Sequence, residues 1–304
     1  MVEEQEQDAA STRYDSLKDQ GLMALEAGRL RQALELFDRA YELAMATGDE
    51  SLRDLAVCNC AAVAIRLGEA QALIPRLRAM LMRTRNPRVS LFSAYNLALD
   101  CNKRKRFRKA LFYARIAERY ATELGEEPFR ASALNEVGNA FVALNDFDSA
   151  LEAYLQAETL VAGEETGRHA TFLANIGYCH LLQGRLDDGF RREFESLRMA
   201  RRCGARLAES LPRLCLSFAH LLVNRPGHAL RHANGALELA EEQGDHETVK
   251  YALLLLGEGY KKGGRTAPAR ECFQLLQRTF YPDMPEVPPM LLDVDVCRVI
   301  NLRA

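Results

Sequence analysis

One arrangement of small, aliphatic and aromatic residues recurs seven times along this 304-residue chain, at intervals of about 40 residues. Its clearest copy is Arg130 to Ala162, RASALNEVGNAFVALNDFDSALEAYLQAETLVA. It reads as two amphipathic helices joined by a tight turn at Leu144-Asn145-Asp146-Phe147. Its marker positions are Leu134, Val137, Gly138, Phe141, Phe147, Ala150, Tyr154 and Ala157. Gly138 is the small residue at the centre of the first helix. The small residue returns at Gly21, Ala61, Ala98, Gly138, Gly177, Ser217 and Gly257. A hairpin this short buries its apolar face only against its neighbours, so the repetition confines the chain to an all-α solenoid.

The marker residues of Arg130 to Ala162 resemble a tetratricopeptide repeat, with Leu134 where tryptophan is common. The resemblance covers about residues 14 to 280 and implies a right-handed superhelix of seven helix-turn-helix repeats, starting near 14, 54, 91, 131, 170, 210 and 250. The period exceeds the commonest one of about 34 residues. In that respect the chain is similar to kinesin light chains, spindle-orientation adaptors and bacterial peptide-sensing regulators. The extra residues fall between repeats (GDESLRD, LGEEPFR, AGEETGR, CGARLAE, QGDHETV), where a recurrent glycine suits a helix C-cap. In repeat five, Gly189 and Ser196 replace the usual alanines and predict a looser second helix.

Residues 1–13, MVEEQEQDAASTR, read as an acidic disordered tail. They are expected to be too few for the DNA-binding or catalytic domain that peptide-sensing regulators carry. The repeat pattern breaks at Pro282, Pro285, Pro288 and Pro289, so residues 281–304 read as a proline-rich loop and a capping helix. Leu291, Leu292, Val296, Val299 and Ile300 fall on one face of that helix. The alternation of Leu292, Val294 and Val296 keeps a strand open as the other reading.

A net charge of −2 gives no global field towards nucleic acid or membrane. The N-terminus lacks the basic lead and apolar core of a signal peptide. No apolar run approaches the ~20 residues that span a bilayer. Eight cysteines without recurring spacing fit a reducing, cytoplasmic setting. Charge is nevertheless segregated. Residues 71–120 carry 13 Lys or Arg against 2 Asp or Glu, and residues 121–170 carry 2 against 10. The densest basic run, Lys103, Arg104, Lys105, Arg106, Arg108 and Lys109, falls on the turn of repeat three. It reads either as an anion or nucleic-acid patch or as a solvated ridge. No aromatic platform accompanies it, so nucleic acid is the disfavoured partner.

The resemblance also implies that the first helix of each repeat lines a concave groove. Groove positions then hold Asn59, Asn96, Asn135, Asn139 and Asn175, amides able to donate to and accept from a peptide backbone. Their alternative role is to satisfy neighbouring helix backbones or to face water. Tyr95, Asn102 and Lys103 join them in the middle repeats, whereas Tyr178, Leu181, Leu214, Phe218 and Leu221 make the later groove apolar. Such a stripe fits a partner's peptide or helix, or cover by the C-terminal segment or by tight closure of the superhelix.

Catalytic and metal sites are not indicated. Cys58 and Cys60 diverge on a helix, and His180 and His220 occupy a position that normally holds a core aromatic. Stacked repeats could make those histidines a metal pair, but packed neutral rings are the favoured reading. Gly257-Glu-Gly-Tyr-Lys-Lys-Gly-Gly264 lacks the strand and Gly-Lys-Ser/Thr ending of a phosphate loop. The expectation is a non-enzymatic scaffold or adaptor with no cofactor, binding a partner protein or peptide in its groove. Two alternatives stand beside it: a subunit that self-assembles head to tail through its charge blocks, and a peptide-sensing regulatory module.

Overall fold

The computed structural model describes residues 2–302, with side chains over residues 11–302. Among the described residues the secondary structure is helical, in seven successive hairpins. The first four are α1 (Val2–Glu26) with α2 (Leu30–Thr47), α3 (Glu50–Leu67) with α4 (Leu73–Arg83), α5 (Pro87–Lys103) with α6 (Phe107–Leu124), and α7 (Glu127–Ala143) with α8 (Phe147–Leu160). The last three are α9 (Gly167–Leu182) with α10 (Leu186–Arg202), α11 (Ser210–Leu222) with α12 (Pro226–Gln243), and α13 (His246–Lys262) with α14 (Thr266–Phe280). A short helix, α15 (Val287–Asp293), follows.

The helices fall into two compact units, one ending at Gly163 with α8 and the other beginning at Glu164 ahead of α9. Within each unit a first helix packs on its own second helix and on the next first helix, as α3 does on α5 and α11 does on α13. First helices therefore form one layer and second helices another.

Close approach within a hairpin depends on the small residues that mark the repeat. A Cβ added at Gly138 would lie 2.4 Å from Cε1 of the buried Tyr154. The same test puts Gly21 2.5 Å from Phe37 and Gly257 2.2 Å from Phe273. Each ring occupies the space that a side chain on the first helix would fill. Repeat five differs: Gly177 faces the carboxylate of Glu193, which is fully buried where the hairpins of Gly21, Gly138 and Gly257 seat a ring. The looser packing expected from Gly189 and Ser196 is not found. Leu181 leans into the space at Gly189, and Ser196 Oγ donates to Ala170 O at 2.6 Å.

The turn inside each hairpin needs one left-handed residue. Glycine supplies it at residues 28, 68, 184 and 264, whereas Lys105, Asn145 and Asn224 adopt φ of 57°, 61° and 52°. Asparagine tolerates this region; lysine does so at a cost. Between hairpins, side chains cap the next helix, as when Asp49 accepts from the Ser51 and Leu52 N–H groups. Asn86 and Asp245 cap in the same way, so starts read near 54, 91 and 250 lie inside helices that begin at Glu50, Pro87 and His246; α7 also begins ahead of the start read near 131, at Glu127, with proline in its first turn and no side-chain cap.

Both ends depart from expectation. The acidic segment read as a disordered tail instead continues α1 back to Val2. Its Glu, Gln and Ala are good helix formers, and acidic residues suit a helix N-terminus. At the other end, Val287 and Leu291 of α15 pack with Phe273 and Leu276 and cover the last hairpin. The single long helix expected there is cut short at Asp293, because Val294 and Asp295 are extended. Val299, placed on the buried face in the sequence reading, is 68% exposed.

Two substitutions test this packing. Gly138→Ala should cost about 1–3 kcal/mol in urea unfolding, because its methyl group enters the Tyr154 ring. Lys105→Gly should gain about 0.5–1 kcal/mol, the relief of the left-handed turn less the added chain entropy of glycine. A neutral Gly138→Ala or a destabilising Lys105→Gly would contradict the respective roles.

Candidate functional site

The residues expected to line a groove divide between the units and have different surroundings in each. In the first unit, Asn96 is buried and its Nδ2 donates to Cys58 O at 2.8 Å, tying α5 to α3. Asn59 and Tyr95 are half-buried. Asn102, Asn135 and Asn139 converge on one carboxylate, Glu136, which is only 5% exposed. Asn102 Nδ2 reaches Glu136 Oε2 at 2.8 Å and the Glu136 carbonyl at 3.2 Å. The Asn135 and Asn139 amides donate to Oε1 at 3.3 and 3.2 Å. Tyr154 Oη donates to Asn139 Oδ1 at 2.8 Å, which adds α8 to the network.

A buried carboxylate is costly unless hydrogen-bonded, and these amides supply the bonds. Glu136 was not singled out in the sequence. Its signal was a lone acid amid the alanine-rich centre of α7, flanked by amides at helical spacing.

In the second unit, Asn175, Tyr178, Leu214 and Phe218 are all buried. Tyr178 and Phe218 meet edge to face, with ring centroids 6.1 Å apart. The chain's own C-terminal segment lies on this first-helix layer. A single 3-10 turn at Val296–Arg298 packs on α13 and α11. Val296 N donates to the buried Glu258 at 3.3 Å, and Lys261 Nζ donates to the carbonyls of Leu291 and Val294. Lys262 Nζ lies 3.4 Å from Asp295 Oδ2 and 3.4 Å from Leu221 O. Farther along, Leu302 N donates to Tyr178 Oη at 2.8 Å. Val296, Cys297 and Leu302 are buried, while Arg298 and Val299 point outward.

Burial works to raise the Asp295 pKa, yet the Cys297 N–H and the Lys262 ammonium outweigh it and hold the carboxyl below its ordinary value. The C-terminal segment, one of the covers that the sequence left open, lies on this apolar stripe.

The basic run occupies the α5–α6 turn, where all six cations are exposed. Arg104 pairs with Asp100 at 2.7 Å and Lys103 Nζ donates to Arg66 O at 2.6 Å, so part of the run is engaged within the chain. Burial pushes the thiols of Cys58, Cys60 and Cys297 up to about 12, which leaves them protonated and unreactive.

His220 meets two histidines that the sequence reading did not connect to it, His228 and His232 of α12. Ring centroids lie 5.0 and 5.5 Å apart, and Phe190 adds a contact at 4.9 Å. The His220 and His232 rings stack at 18°, which presents faces rather than converging nitrogens. Among the described residues no group of three or more His, Cys, Asp or Glu is placed to hold a metal ion. Nor is any described helix long and apolar enough to cross a membrane.

Burial, reinforced by neighbouring cations and rings, pushes His220 and His232 down to about 4 from an ordinary 6.5. Both are neutral in the fold and bind protons more readily when unfolded, so stability should fall as pH drops from 6.5 towards 4. Urea titrations across that range check this, and a flat profile would contradict it. Removing one arm of the other cluster, with Asn102→Ala, should cost about 1–3 kcal/mol by leaving Glu136 short of donors. A change within about 0.5 kcal/mol, typical of an ordinary surface site, would contradict the network.

No protein-family profile matches the sequence, and no curated protein matches it either. Solved structures do resemble the fold. A Rap protein complexed with competence and sporulation factor has a TM-score of 0.72 at 16% identity, covering 88% of this chain and 74% of that one. NprR in complex with its cognate peptide NprX has a TM-score of 0.66 at 14% identity, covering 91% and 81%. Cut9 from the Cut9–Hcn1 hetero-tetramer of APC/C has a TM-score of 0.70 at 14% identity, covering 90% of this chain and 48% of its own. Identities this low speak to the fold alone. Helical hairpins stacked in register, small residues seating the facing rings and these likenesses agree: the chain has the all-α solenoid fold of tetratricopeptide-repeat proteins.

Proposed function

We propose that this chain is a non-enzymatic, cytoplasmic interaction module that binds a peptide or helix of a partner protein on the first-helix layer. One observation carries the reading: the layer formed by α9, α11 and α13 already holds a polypeptide segment. It does so through main-chain hydrogen bonds, at Val296 N and Leu302 N, and through buried apolar side chains. That combination of backbone bonding and side-chain pockets is how peptide-recognition surfaces obtain affinity and selectivity. The Rap protein and NprR, which share the fold, are each seen with a bound factor or peptide, which supports a sensor or adaptor role here. Tyr178, Leu214 and Phe218 supply the apolar floor, and Lys262 and Glu258 the polar rim.

Self-assembly through opposite charge blocks draws less support. Arg88 of the basic block already pairs with Glu126 of the acidic one, and Arg115 with Glu118 at 2.8 Å, which reduces the charge left for a second copy.

The test is capture of partners from native lysate, followed by affinity measurement with the purified partner. A variant carrying Tyr178→Phe and Lys262→Glu should bind at least tenfold more weakly while keeping its helical content. Equal affinity in a folded variant would remove the assignment of this face.

A further inference from the structure

Resting on that reading, we infer that residues 294–302 are an internal stand-in for the partner. The ligand of this face is then a short peptide, extended at an acidic residue, turned once from the branched apolar residue that follows it and carrying a second apolar anchor farther along, and it binds by displacing the chain's own segment.

The segment has the chemistry of a ligand rather than of a repeat. It leaves α15 in extended conformation at Val294 and Asp295, with φ, ψ of −93°, 151° and −76°, 104°. It then crosses the first-helix layer from α13 towards α9, against the order of the chain. Its acceptors Glu258 and Tyr178 hold matching positions on α13 and α9, and Phe218 holds that position on α11. Glu258, Phe218 and Tyr178 each follow the small residue that marks the repeat, at Gly257, Ser217 and Gly177. Glu258 accepts from the segment's Val296 N–H, and Tyr178, which meets Phe218 edge to face, accepts from its Leu302 N–H. Equivalent positions on stacked repeats are where a bound peptide meets one residue of the solenoid after another.

Side chains of the segment divide into anchors and outward positions. Asp295 meets Lys262; Val296, Cys297 and Leu302 are buried; Arg298 and Val299 face out and make no demand on sequence. A ligand that matches the anchors can replace the segment without change in the helices beneath. α15 does not have to move, because Val287 and Leu291 hold it in the core of the last hairpin while the extended Val294–Asp295 link provides the hinge. A tethered occupant acts at an effective concentration on the order of mM, so it lowers the apparent affinity of any free peptide of the same chemistry.

A fluorescein-labelled synthetic peptide of residues 293–302, with serine in place of Cys297, is the probe, titrated by anisotropy into two full-length proteins. One is wild type; the other carries Val296→Asp and Leu302→Asp to expel the segment. The variant should bind at least tenfold tighter than wild type. A folded variant that binds no better than wild type overturns the inference. Should the variant lose helical content, hydrogen exchange on wild type decides: the Val296 and Leu302 amides should be protected, yet open more readily than α9, α11 and α13. Exchange at unprotected rates overturns the inference, as does a wild-type dimer in which a second copy supplies the segment. Capture of a lysate partner with equal affinity by wild type and folded variant also overturns it, and leaves the binding role of the module standing.

Discussion

The distance between the two helices of a hairpin is the constraint on which everything else rests. It is set where a side chain is missing. With no Cβ at Gly21, Gly138 or Gly257, the rings of Phe37, Tyr154 and Phe273 reach the backbone of the first helix. That contact aligns one hairpin, and within each unit the stacked hairpins produce a layer of first helices. A layer with equivalent residues at regular spacing is in turn what makes an extended segment a good fit. Replacing the ring by the buried Glu193 in repeat five shows that the space, rather than the aromatic itself, is the shared element.

The two first-helix faces meet the cost of polar groups differently. In the first unit, amides from Asn102, Asn135 and Asn139 are directed at Glu136, and Asn96 is directed at the α3 backbone. Asn96 thus bonds a neighbouring helix backbone, whereas the other three bond a side chain that neither expected role included. In the second unit the buried acid, Glu258, is satisfied by Lys261 and by a backbone N–H of the C-terminal segment. One face is closed by its own side chains and the other by the chain's own C-terminal segment.

This difference explains what could be read from the sequence. Hairpins were legible because the small residue, its ring and the turn are local in sequence and recur. Helix starts were read late because caps such as Asp49 and Asn86 precede the apolar pattern. The fate of Asn96 or Asn102 was not legible, since it depends on which acceptor the neighbouring helix presents. Glu136 was passed over because a single acid in a helix ordinarily faces water. The contact between Leu302 and Tyr178 joins residues far apart in sequence, and no local pattern announces it. Only the alternation of Leu292, Val294 and Val296, which argued against a continuous helix, hinted at the break that falls at Val294 and Asp295.

Methyl NMR of the full-length protein during titration with a captured partner peptide tests the central claim most directly. The account predicts that shifts concentrate on Leu214 and Leu221 of the first-helix layer, and that the Val296 and Leu302 methyls move to positions typical of mobile, exposed chain. Shifts confined to the second-helix layer, with Val296 and Leu302 unmoved, would contradict it.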